Sequence, residues 1–504
     1  MKKFAAILLI CALLLTALAG CVVEDTATDT SADTSTDTTT DTATDRADTA
    51  TENVDDVAST SSEKDFSGIT LNFAQDLGTN DVANATTEKI IQAYEEATGI
   101  TIEFNNVSDS YRTWLATQFS ANQGPDVYSG ILYDMTSDYE SGLLYNFADL
   151  YESESAYDTG KPWKDTLPES ILERMYLTDG SVPGYPTTSQ VVRIFYNVDM
   201  MEDAGCEIPT TWEAFMDVCQ KLSDAGYTPF GFANASHQDL CWLWFCNSIS
   251  NQLNEELLHT IDVSGNGYAE LNEIVKAFEE GALDFSSPQF QECFTLMKDF
   301  SQYWTSDYNG LVSATAYDQF MRGQVAMVQA MSTNMTAFLD GIDGAFEIGV
   351  MPVPTITTET SEYAMGQSVV LGGQPDIIYG INAACANDEK KLEAAIDFVQ
   401  YMASPEVQMM YCESTDRLPL ATSTELPERL EGFIITEDAL RVAYYTGINN
   451  EWRDYFARGG QTFLDGSQSL EDYCAYLNEA FASVCEQLMV DNGWSAENNY
   501  GLDA

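Results

Sequence analysis

From Phe66 onward the chain switches between two hydrophobic periods. Ile69-Thr70-Leu71-Asn72-Phe73 alternates with period two and predicts a strand. Thr87 to Thr98 sets Ile90, Ile91, Tyr94 and Ala97 on one helical face and stops at Gly99, a common helix terminus. Ile100 to Phe104 alternates again, so the opening reads strand–helix–strand and predicts an α/β fold with a largely parallel sheet. Tyr111 to Ala121 reads as the next helix, and Gly124-Pro125 punctuates before an apolar Val127-Tyr128. Helical spacing returns over Trp212 to Ala225, Phe290 to Trp304, Ala316 to Gly323, Glu389 to Met402, Pro405 to Cys412 and Leu470 to Leu488. Asn387 or Asp388 offers a side-chain oxygen to cap the helix at Glu389. Short strands fit Arg193 to Tyr196, Val325 to Gln329 and Phe346 to Met351. No solenoid-period repeat is visible, and the pattern predicts two α/β lobes.

Composition narrows the function classes. The 504 residues suffice for two to four domains, and 45% hydrophobic content can fill substantial cores. With 21 basic against 80 acidic residues the formal charge is −59, which excludes ordinary nucleic-acid binding for want of a basic face. Only His237 and His259 exist, neither with a ligand-spaced partner, so a His-based metal or catalytic centre is not expected, nor any cofactor. With so many acids, carboxylate pairs are unavoidable and say nothing about a glycosidase. No nucleophile motif or phosphate loop occurs, and no enzymatic activity is expected.

The first twenty residues carry Lys2 and Lys3, an apolar run from Phe4 to Leu18, and small residues before Cys21, which reads as an export signal (residues 1–20). Leu18-Ala19-Gly20-Cys21 resembles the lipobox of bacterial lipoproteins. That resemblance implies a lipid-bearing Cys21 at the mature N-terminus and anchoring at the extracellular face of the cell membrane. Residues 22–65 repeat Thr, Asp, Ala and Ser without an aromatic residue, a composition unable to bury enough apolar surface to fold, and read as a disordered tether. Setting aside Cys11 and Cys21 leaves nine of the eleven Cys, an odd number. The spacing of Cys241 and Cys246 in CWLWFC is wrong for a metal knuckle, and buried unreacted thiols are expected for most of the nine.

The ordered motifs of the remainder resemble those of bacterial extracellular solute-binding proteins of the sugar-binding type, the maltodextrin-binding class. ITLNFAQ and TTEKIIQAYEEATGITIEF match its opening strand, helix and strand; WLATQFSANQGPDVYSG matches its Gly-Pro-Asp-Val element; GLLYNFADL its following turn. DGSVPGYPTTSQVVRIFYNVDMMEDAGCEIPTTWEAF is the most specific segment, and YDQFMRGQVAMVQAMS, FEIGVMPVP, GGQPDIIYGINAA, SPEVQMMY and RLPLA follow in family order. Departures are Ser332-Thr333-Asn334, where many members carry an aromatic residue, and an enlarged stretch from His237 to Tyr308.

The resemblance implies a two-lobed periplasmic-binding-protein-like fold with a hinge and an interlobe cleft. Crossings are placed near Thr187–Gln190, Gly366–Gln374 and Arg417–Thr422. The N-lobe then takes 66–187 and 375–416, the C-lobe 188–374 and 417–504. Its cleft positions fall on Gln75 and Asp76 (alternatively a turn or helix cap), Tyr128 and Asp134 (alternatively surface), Gln190 (alternatively hinge packing), Tyr196 (alternatively a hinge lock), Asn334, Gly372, Gly373, Gln374 and Trp452, the last as a stacking aromatic. It implies a monomer that binds a carbohydrate and delivers it to ABC transporter permease subunits. A polyamine or other non-sugar ligand, or a secreted glycosidase, are the competing readings.

Overall fold

The computed structural model describes residues 64–502 apart from 78–80, 108–109, 178, 266–268 and 436–444. The export signal, Cys21 and nearly all of the tether lie outside the described residues.

Among the described residues, nine strands join one sheet: β1 (Thr70–Gln75), β2 (Thr101–Asn106), β3 (Val127–Gly130), β4 (Tyr185–Asn197), β5 (Thr228–Gly231), β6 (Val325–Met331), β7 (Ile348–Met351), β8 (Gly372–Ile381) and β9 (Leu418–Pro419). The order is β2-β1-β3-β8-β4-β6-β5, with β7 and β9 pairing β4. Only β1 with β2, β1 with β3, and β5 with β6 are parallel. The largely parallel sheet expected from the opening motif is therefore corrected to a mixed one. The middle is antiparallel because β4 and β8 run in opposite directions past each other, a pairing that needs no crossover helix. Arg193–Tyr196 is likewise only the end of a thirteen-residue strand.

The helices stand near their expected places with shifted ends. The first starts earlier, at Asp81–Thr98, and the C-terminal one runs longer, Leu470–Asn492. Asp388 caps Glu389–Met402 by accepting from the backbone N–H groups of Lys390 and Lys391. Across the enlarged stretch, helices Cys241–Leu253 and Pro288–Phe300 pack together, the former buried along its whole length.

Buried apolar side chains form two clusters. The first draws on residues from Phe66 to Tyr185 and from Ile377 to Tyr411, with Leu420. The second draws on residues from Val191 to Leu371, with Cys412 and Leu418, and from Leu430 to Tyr500. β4 leaves the first and enters the second around Thr187–Val191, where its register against β8 is broken by bulges. All nine described cysteines are free thiols, eight of them buried.

Candidate functional site

Strand directions locate a crevice. β1 and β3 run parallel to each other, and β3 is antiparallel to β8, which is antiparallel to β4. β5 and β6 are antiparallel to the far half of β4. The carboxyl ends of β1 and β3 therefore point toward the Thr187–Val191 segment from the first core, and those of β5 and β6 point toward it from the second. Gly130, ending β3, pairs with Ile378; Gly372 pairs with Val191; Met331, ending β6, pairs with Val192. Six residues separate Ile378 from Gly372, so the two sets of strand ends stand about 20 Å apart at roughly 3.3 Å per residue. Ligands of open α/β sheets bind outside such carboxyl ends.

On the first-core side, Gln75 closes β1 and is fully buried. Its Oε1 lies 3.5 Å from the Tyr379 hydroxyl that donates to it, and its Nε2 meets no acceptor among the described residues. Asp76 follows, exposed. Burial pushes the Tyr111 hydroxyl well above its ordinary range, and the charge of Asp76 adds to that shift. Tyr111 itself spans the strand ends, donating toward the carbonyls of Ala74 and Ser129. Asp134 sits in the first turn of helix Leu132–Glu140, 3.5 Å from Nε of Arg112. Burial raises its carboxyl pKa, Arg112 lowers it and Asp138 raises it further. Arg112 also forks onto Asp138 at 2.9 and 2.8 Å.

At the crossing, Gln190 is half-buried and its Oε1 is 3.5 Å from the Thr333 hydroxyl. Gly372 and Gly373 hold φ of +85° and +75°. A Cβ at Gly372 would lie 2.3 Å from the Gln190 carbonyl oxygen, so this close approach of two backbones requires glycine. Gln374 is half-buried beside them. Asp376 ties the crossing together, accepting from Thr188 Oγ1 at 2.6 Å and from Arg417 Nε at 2.9 Å. On the second-core side Asn334 ends a short 3-10 helix directly after β6, half-buried.

Asp76, Asp134, Gln190, Asn334, Gly373 and Gln374 thus border one crevice, and Gln75 closes β1 with no exposed surface of its own. Three expected contacts lie elsewhere. Tyr128 is fully buried in the first core, its hydroxyl donating to Asp138 at 3.0 Å, because β3 is covered on both faces, Val127 and Ser129 being buried as well. Tyr196 lies five residues past Val191 on β4, about 17 Å away along the strand. Its ring covers Gly349, where a Cβ would collide with it, and it lines a separate cavity of about 460 Å³ with Met201, Glu202, Cys206 and Glu347. Trp452 is fully buried: its indole donates to the Tyr445 carbonyl at 2.8 Å, and the rings of Phe481, Phe285 and Phe456 surround it. A ring with no exposed face offers no stacking surface in this conformation.

Two residues absent from the expected set stand at the crevice. Ile131 and Tyr133, just past β3, are 51% and 56% exposed. Their signal was an apolar Ile131-Leu132-Tyr133 run at a strand end, which pattern alone does not separate from core. Ile434 and Ile435 are also exposed, and Ile435 reaches Gly373.

Residues 89–434 match the bacterial extracellular solute-binding protein family. The chain is 24% identical over 388 residues to the multiple sugar-binding protein of Streptococcus mutans, covering 74% of this chain and 81% of that one. It is 23% identical over 265 residues to the sn-glycerol-3-phosphate-binding periplasmic protein UgpB of Pectobacterium atrosepticum, covering 51% and 53%. Among solved structures, the apo-form of RafE from Streptococcus pneumoniae superposes with a TM-score of 0.60 at 20% identity, over 83% of this chain and 99% of that one. These relatives are solute-binding proteins rather than enzymes, and the mixed α/β fold is that of the two-lobed proteins of this kind. With more than half its length inside the matched region, the chain belongs to the bacterial extracellular solute-binding proteins.

Proposed function

We propose that this protein captures a carbohydrate, an oligosaccharide, in the crevice beside Thr187–Val191 and passes it unchanged to the permease of an ABC importer. One observation carries the reading: two sets of strand carboxyl ends oppose each other, bordered by amide and carboxylate side chains next to exposed Ile131 and Tyr133. A sugar presents hydroxyls around its rim and apolar C–H faces, so it needs both kinds of surface. The gap of about 20 Å accommodates more than one ring. RafE has been solved in complex with raffinose, and a relative is named a multiple sugar-binding protein, which supports the ligand class.

In this reading the N-lobe is 66–187 with 375–416, the C-lobe is 188–374 with 417–504, and the lobes close by rotation about the crossing. The protein acts as a monomer, held at the extracellular face of the membrane by lipid on Cys21. Asp76 and Asp134 at the rim favour a cationic ligand such as a polyamine as the second reading. Calorimetry against raffinose, stachyose and xylan- and chitin-derived oligosaccharides, with spermidine and sn-glycerol 3-phosphate alongside, tests both. A sugar should bind and be recovered intact. Binding of spermidine or the phosphate ester alone, or hydrolysis of the sugar, overturns the proposal.

A further inference from the structure

We propose that Lys64 fastens the acidic N-terminal arm to the folded body by docking its ammonium on the buried carboxylate of Asp397, which fixes where the arm departs. Asp397 lies within helix Glu389–Met402, and its side chain is wholly shielded from solvent. Its Oδ2 accepts hydrogen bonds from the hydroxyls of Tyr94 at 2.8 Å and Tyr157 at 2.9 Å. Its Oδ1 faces Lys64 Nζ at 3.0 Å and meets no other donor among the described residues. A buried carboxylate held by two neutral hydroxyls alone is expensive, and removing the partner of a buried ion strands its charge. Lys64 is therefore the counter-ion that lets this site exist.

The next residues complete the clasp. Lys64 Nζ lies 5.9 Å from the centre of the Phe66 ring. Phe66 is buried in the first core, and its N–H donates to the Thr98 carbonyl at 2.8 Å. Asp65 accepts from the Ser67 N–H at 2.9 Å. Between Val22 and Lys64 the only cations are Arg46 and Lys64, set among many Asp and Glu. An arm so acidic is repelled by an acidic body, and Lys64 reverses the sign at the point of contact.

Thr98 precedes β2 and Phe66 precedes β1, so the clasp sits at the amino ends of the first-core strands, opposite the carboxyl ends that border the crevice. The fastening point is therefore at the end of the first core away from the crevice. The docking does not depend on what the arm is anchored to, or on which solute is bound.

Limited trypsin digestion of the full chain, with fragments mapped by mass spectrometry, tests it. Cleavage after Lys64 is read against cleavage after Arg46 in the low-complexity stretch. Docking predicts slow cutting after Lys64 in the parent and cutting at least tenfold faster in Asp397→Asn, with the Arg46 rate unchanged and no added cuts in the folded body. Lys64→Met should lower the melting temperature by several degrees, and Lys64→Met/Asp397→Asn should melt close to Asp397→Asn alone. Should Asp397→Asn fold poorly, Lys64→Met still decides, because it alters only a partly exposed side chain. Equal cutting after Lys64 in parent and variant, or an unchanged melting temperature in Lys64→Met, overturns the proposal.

Discussion

Replacing Trp452 with alanine empties the middle of the second core. The indole is fully buried, with ring centroids of Phe481, Phe285 and Phe456 at 4.5, 5.3 and 5.7 Å. Truncating such an aromatic costs about 3–5 kcal/mol through lost transfer energy and residual cavity. The Tyr445 carbonyl also loses its 2.8 Å indole donor, worth about 1 kcal/mol. At about 1 °C per kcal/mol for a body this large, the unliganded melting temperature should fall by roughly 5 °C. Trp452→Phe keeps most of the ring contact and loses the N–H, so its cost should be nearer 2 kcal/mol. Scanning calorimetry without ligand measures both, and isothermal titration at a temperature where the variants remain folded measures affinity per folded molecule. Affinity should be nearly unchanged. A Trp452→Ala protein that melts within about 2 °C of the parent but loses binding would show that the ring leaves the core to meet ligand, and would refute the packing argument.

Tyr133→Ala should weaken sugar affinity about tenfold, the scale of a lost stacking surface, while leaving the melting temperature nearly alone because the ring is exposed; titration calorimetry reads the first and a thermal melt the second. Gln190→Ala should cost about 1–3 kcal/mol of binding, and equal affinity in parent and variant would assign Gln190 to hinge packing through Thr333 instead. In the native protein a small alkylating reagent should modify Cys206 and spare the eight buried thiols. Burial raises the Cys206 thiol above its ordinary range, so less thiolate is present at neutral pH and labelling should accelerate as pH rises through 9, measured by intact mass. Cys21→Ala should shift the protein from the membrane fraction to the medium, read by immunoblot of both.

The expectations that failed share a cause. The family resemblance puts Tyr128, Tyr196 and Trp452 at cleft positions, where aromatic side chains suit a sugar. Whether an aromatic ring packs or protrudes depends on which neighbours reach it. Phe285, Phe456 and Phe481, which cover Trp452, come from segments up to nearly two hundred residues apart in the chain. Tyr133 lies outside the expected set, and its side chain stays open where the facing strand ends stand about 20 Å away.

By itself the sequence determined what local periodicity and composition control. The positions of β1, β2 and most helices follow from residues adjacent in the chain, whose side chains repeat with the backbone's own period. The helix start at Glu389 was legible in Asp388, because a cap is made within one turn. Ordered motifs likewise announced the family. Tertiary structure alone decided the antiparallel join of β4 with β8, the bulged crossing, and the pairing of Lys64 with Asp397 across 333 positions. Strand direction and buried charge pairing are settled by partners distant in sequence, and no local pattern encodes which of many acids a lone lysine will meet.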